Sequence, residues 1–140
     1  MIVTNMSEMW AFLDCYTLDP ASVERKVNHL NEWGGFSRRL EIPIFTGWSD
    51  FACYDKTTKM TTMLVLDSEW SSKVGVNNQE FWLNYAEQNS DGVAAFFVIH
   101  AVDKNAEVRK IASIEDSRIF VGKVVRERTQ TFIVGQPKVL

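Results

Sequence analysis

Cysteine occurs twice, at Cys15 and Cys53, and histidine twice, at His29 and His100. The cysteines are too few and too far apart for a disulfide framework, and no CxxC pair suggests a zinc knuckle. No HExxH and no Cys/His spacing of a zinc site is present, so no metal ligands are assigned. The seven glycines form neither GxxxxGK(S/T) nor GxGxxG, which excludes a recognisable phosphate loop. No uninterrupted apolar run approaches the roughly 18 residues of a membrane span. The opening Met1-Ile2-Val3-Thr4-Asn5 lacks a basic segment leading into an apolar one. These absences lead us to expect a protein of a reducing, cytoplasmic compartment that holds no cofactor and enters no membrane.

What is present is apolar and aromatic. The 140 residues are 46% hydrophobic, enough for one core, so residues 1–140 are expected to form a single domain. Five Trp and nine Phe make ring burial the main source of stability, at roughly 25 cal/mol per Å² of apolar surface. A net charge of −3 argues against indiscriminate attraction to nucleic acid or anionic membrane. The charge is uneven, because residues 104–140 hold eight bases against four acids. Exposed strands often carry Lys and Arg for solubility, and that is the reading adopted here over a basic ligand face.

Periodicity predicts an α+β fold. Met6, Met9, Trp10, Leu13 and Tyr16 share one helical face, with Ser7 as N-cap. Asp19-Pro20 predicts the start of a second helix, residues 20–33, with Val23, Val27, Leu30 and Trp33 turned inward and Gly34-Gly35 as its stop. Leu40, Ile42 and Ile44 alternate with Glu41 and Pro43 as in a strand, with Pro43 suited to an edge or an entry. Residues 51–54 and 61–66 read as a hairpin, and 67–77 as a loop. Asn77 or Asn78 is expected to cap a helix over 79–88, closed by Ser90-Asp91-Gly92. The apolar run 93–102 predicts a strand buried on both faces, 107–114 a further strand, and 118–125 with 129–134 a final hairpin. The expected architecture is a mostly antiparallel sheet of about five to seven strands, with two N-terminal helices and one mid-chain helix packed on it.

Candidate chemistry is sparse. His100, amid Phe96, Phe97 and Ile99, is expected to be a partly buried core histidine with acid–base capacity near neutral pH. Cys15, on a helix, and Cys53, in a strand, are expected to be buried and inert, and no catalytic residue is assigned. Aromatic rings beside loops and next to polar groups commonly line pockets or interfaces. That pattern gathers Trp48, Asp50, Asp67, Glu69 and Trp70, with Phe51 beside them. The reading is a non-catalytic binding or accessory protein that recognises a protein or small molecule through this aromatic and acidic surface. One alternative is a divalent-metal-dependent hydrolase or nuclease using Asp50, Asp67 and Glu69 with Lys73; the chain lacks the (D/E)xK triplet of such enzymes on a core strand. Another is single-stranded nucleic-acid binding, with Lys123, Arg126 and Arg128 on phosphates and Phe120 or Phe132 stacking on a base. Nucleic acid is not the expected partner. A homodimer through the C-terminal strands and Val139-Leu140 is expected instead.

Overall fold

The computed structural model describes residues 5–18, 23–28, 32–115 and 117–139. Its elements run in the order α1 (Met6–Phe12), β1 (Cys15–Leu18), β2 (Glu24–Arg25), β3 (Gly34–Ser37), β4 (Ile42–Trp48), a 3₁₀ turn (Ser49–Phe51), β5 (Ala52–Asp55), β6 (Met60–Asp67), α2 (Lys73–Asn89), β7 (Val93–Ala101), β8 (Ile111–Ile114), β9 (Arg118–Glu127) and β10 (Gln130–Val139). The fold is α+β, as the periodicity predicts, with ten strands and two helices among the described residues where fewer strands and three helices were expected.

The apolar run over 93–102 forms β7, and its alternation divides the interior into two cores. Ala94, Phe96 and Val98 face one side with Phe45, Met63, Leu66, Trp82, Leu83 and Ile133. Ala95, Phe97 and Ile99 face the other with Met6, Met9, Trp10, Leu13 and Ile44. Helix α2 therefore seals one face of the sheet and α1 the other. Period-two alternation with both faces buried is why the segment reads as continuously hydrophobic.

Strand order is β2-β1-β3-β4-β7-β9-β10-β6-β5, with β8 continuing beside the far half of β7. Every pairing is antiparallel except β4 with β7, where Ile44 opposes Ala95 and Trp48 opposes Ile99. Pro43 sits at the entry of β4, one residue before that ladder begins, which is how a strand between two neighbours accommodates it. From β4 to β5 is five strand spacings, roughly 24 Å in a flat sheet. The chain covers it with Ser49–Phe51, a link that reaches about 10 Å. The sheet must therefore curl until β6 lies over β4. At their crossing, a Cβ on Gly47 would stand 2.5 Å from Met63 Cγ and Sδ, so the side-chain volume at that position is taken by the methionine.

Several local expectations are corrected. Residues 23–28 and 32–33, inside the helix expected over 20–33, contain the short strand β2 and otherwise neither helix nor strand. Residues 20–22 and 29–31 of that segment, His29 included, lie outside the described residues. Val23, expected to face inward, is exposed, while Val27 is buried. The segment is organised by polarity: buried Glu32 takes both terminal nitrogens of Arg25 at 2.7 and 2.6 Å and the Asn28 N–H at 2.7 Å. Gly34-Gly35 stops no helix; it enters β3, opposite Phe45 and Ile44. Asn5 rather than Ser7 caps α1, and Tyr16 belongs to β1. Helix α2 begins at Lys73 behind the N-cap Ser72 and not at Asn77 or Asn78, so residues 73–77 of the expected 67–77 loop are helical.

The curl gives a measurable consequence. Gly47→Ala forces a methyl into Met63 and is expected to cost about 1–3 kcal/mol in denaturant titration. In a double-mutant cycle with Met63→Ala the two costs should be strongly non-additive, since each change removes the other's obstacle. Additive costs would mean the two strands do not meet there.

Candidate ligand-binding cleft

Because β4 and β7 run parallel, their carboxyl ends lie side by side, and both contribute to a cleft of about 480 Å³. Trp48 and Ile99 come from those ends, Phe51 from the 3₁₀ turn, Trp70 from the turn after β6, and Trp33 from the entry to β3. The volume is that of an ordinary small-molecule site. Trp33 meets Trp70 edge to face with centroids 5.6 Å apart, and Trp70 stacks on Phe51 at 6.1 Å.

Each ring is held by polar chemistry behind it. Asn78, on α2, accepts from the N–H groups of Trp33 and Gly34 at 3.0 and 2.8 Å and donates to Gly34 O at 3.0 Å. Trp33 O in turn accepts from the Thr46 N–H at 2.8 Å. One amide side chain thus substitutes for a neighbouring strand at a point where β3 has none. The helix accommodates the Trp33 indole through Gly75, where any side chain would overlap the ring. Trp70 is set by Asp67, whose backbone O accepts the Trp70 N–H at 3.0 Å and whose Oδ1 accepts from Glu69 N at 2.9 Å.

Two features give the cleft its electrostatic character. Arg109, at the foot of the 102–110 loop, donates both terminal nitrogens to Asp50 at 2.7 and 2.8 Å, with the two side chains 18% and 27% exposed. Its guanidinium also lies over the Trp48 and Phe51 rings, 5.2 and 4.9 Å from their centroids. These two hydrogen bonds hold the Asp50 carboxyl below its ordinary range and raise Arg109 further. The second feature is Gln79, buried in the wall: its Nε2 donates to Val65 O at 2.8 Å, but its Oε1 has no hydrogen-bond partner. Exchanging the two amide atoms would face oxygen to oxygen at Val65, so the orientation is fixed.

Of the residues singled out from sequence, Trp48 and Trp70 line the cleft, and Asp50 reaches it through Arg109. Asp67 lies behind it as a turn-former, also accepting from Gln130, and Glu69 is exposed on that turn. Among the described residues no three His, Cys, Asp or Glu side chains gather as a metal site, so Asp50, Asp67 and Glu69 do not converge. His100 is exposed: it continues the alternation of β7 past the packed region instead of lying in the core. Cys15 lies in β1 and not on a helix; burial pushes its thiol well above the ordinary range, so it stays protonated. Cys53 is exposed, contrary to the burial expected of it. The basic strand residues are largely engaged. Arg126 reaches Glu80, Asn84 and Glu87 on α2, Lys123 bonds Asp91, and Arg118 bonds Glu115. Phe120 is stacked inside the core on Phe96, unavailable to a base. Trp33, Gln79 and Arg109 were not gathered with the site from sequence, since nothing in their spacing connects 33, 79 and 109.

A larger hollow of about 630 Å³ lies between α1, β1 and β2. Of the charges that line it, Arg38 is paired with Glu24 and Asp14 and Arg25 with Glu32, and part of the link from β1 to β2 lies outside the described residues. No helix among the described residues is long and apolar enough to cross a membrane. In comparisons with family models, curated proteins and solved structures, nothing matches this chain.

Two outcomes follow from this geometry. Asn78→Ala leaves two N–H groups and a carbonyl without partners and is expected to cost about 2–4 kcal/mol by denaturant titration, with the Trp33 indole resonance shifted. Because Asp50 titrates below its ordinary value, the Asp50–Arg109 latch is intact at neutral pH. It is lost only as pH falls below about 3.9, the unperturbed aspartate value. The Trp48 indole resonance should report that acid step, and Asp50→Asn should abolish it.

Proposed function

We propose that this chain is a non-catalytic binding protein that holds a small organic molecule in the cleft bounded by Trp33, Trp48, Phe51 and Trp70. One observation carries the reading: four rings from three chain segments converge on a hollow of ligand size. Rings beside polar atoms are the usual make-up of such sites, the rings supplying affinity and the polar atoms orientation.

The reading is non-catalytic because the groups nearest the cleft are occupied. Asp50 is held ionised by Arg109, and the Ser72 hydroxyl accepts from Gly75 N as the cap of α2. Neither is paired with a base in the manner of an activated nucleophile.

The test is titration of ¹⁵N-labelled protein with one-ring probes of three charges: phenol, benzylamine and benzoate. At least one should shift the indole resonances of Trp33, Trp48 and Trp70 and leave those of Trp10 and Trp82 unmoved. Trp70→Ala should weaken that binding by about tenfold, the usual cost of one well-packed ring. If none of the three probes moves the cleft resonances, the proposal fails.

A further inference from the structure

Resting on the cleft as a ligand site, we propose that it accepts a small organic cation of guanidinium or alkylammonium type, and that Arg109 is an internal stand-in for that ligand. The Arg109 guanidinium shows what the place recognises. It lies over two ring faces, Trp48 at 5.2 Å and Phe51 at 4.9 Å, and it is gripped edge-on by both oxygens of Asp50 at 2.7 and 2.8 Å. Ring faces carry negative potential and a carboxylate matches the guanidinium fork, so both halves of cation recognition are built there.

The rest of the wall has the same preference. Among the described residues Arg109 is the one basic side chain lining the cleft, and it is neutralised by Asp50. Glu107 stands exposed on the rim. An anionic ligand would meet ring faces and carboxylates; a cation bearing N–H groups complements both. Arg109 is also placed to leave. It lies in a stretch, residues 102–110, with neither helix nor strand, closed at its base by the Val102 N–H to Lys110 O bond at 2.9 Å. Swinging the side chain outward therefore breaks no strand pairing. While it occupies the slot it lowers the apparent affinity for an external cation by the fraction of time the slot is filled.

The experiment uses the full chain and follows the five tryptophan indole resonances during titration with butylguanidinium and with its neutral isostere, butylurea. Butylguanidinium is expected to shift Trp48 and Trp70 and to bind about tenfold more tightly than butylurea. Arg109→Ala and Arg109→Gln should each tighten butylguanidinium binding by about tenfold by emptying the slot, and adding Asp50→Asn should remove that gain. Unmoved Trp10 and Trp82 resonances show that the variants are folded. Equal binding of the two probes, or folded Arg109 variants that bind no tighter than the parent, overturns the inference. Equal binding does so while leaving the cleft a ligand site; no shift with either probe in any variant removes both proposals. Should both Arg109 variants unfold, the comparison of the two probes on the unaltered chain decides.

Discussion

Three residues, Ser49 to Phe51, have to carry the chain from the fourth strand of the sheet's order to the ninth. A flat sheet cannot satisfy that link, and nearly everything else about the molecule follows from the curl it enforces. The curl brings Met63 over Gly47, encloses Phe45, Phe96 and Phe120 against α2, and leaves the opposite face of β4 and β7 to be covered by α1. It also places Phe51 and Trp70 opposite the carboxyl ends of β4 and β7, so the cleft is the mouth of the fold and not an addition to it.

Legibility from sequence tracks the range of the forces involved. The 93–102 run, the hairpin around residue 57, the final hairpin and the apolar face of α1 are written in local alternation or helical spacing, and each is present. The segment 20–33 carries an apolar helical spacing too. Yet in its described part Glu32 draws Arg25 and Asn28 into a buried polar cluster, a preference that no count of apolar positions registers. Strand number was underestimated because β1, β2 and β3 are two to four residues long, below the length at which alternation is visible. The rings of Trp48 and Trp70 were legible as a pair of loop-flanking aromatics. Their partners Trp33, Gln79 and Arg109 were not, because only the curl brings positions so far apart in sequence to one place.

The uneven charge of the chain has a structural explanation in the same geometry. Three of the eight bases over 104–140, Arg118, Lys123 and Arg126, sit on β9, and the helix that Arg126 meets offers Glu80, Asn84 and Glu87. Arg126 alone touches all three, so β9 and α2 are joined across the rim of the core by charge as well as by packing. Part of what reads in the sequence as a basic tail opposed to an acidic remainder is thus contact in three dimensions, Arg109 with Asp50, Lys123 with Asp91 and Arg126 with Glu80 and Glu87. Such half-exposed pairs each contribute little, but several converging on one guanidinium fix the rotation of α2 about its axis.

The notch that Gly75 makes in α2 ties that rotation to the cleft. Glycine is the least favourable ordinary residue for a helix interior, so the opening turn of α2 is held less by its own propensity than by Ser72 at its cap and by the Trp33 indole wedged into the gap. Whatever moves Trp33 therefore loosens the start of the helix, and whatever settles Trp33 tightens it. Amide exchange in residues 73–76 becomes a gauge of what the aromatic mouth contains, legible on the far side of the ring from any guest.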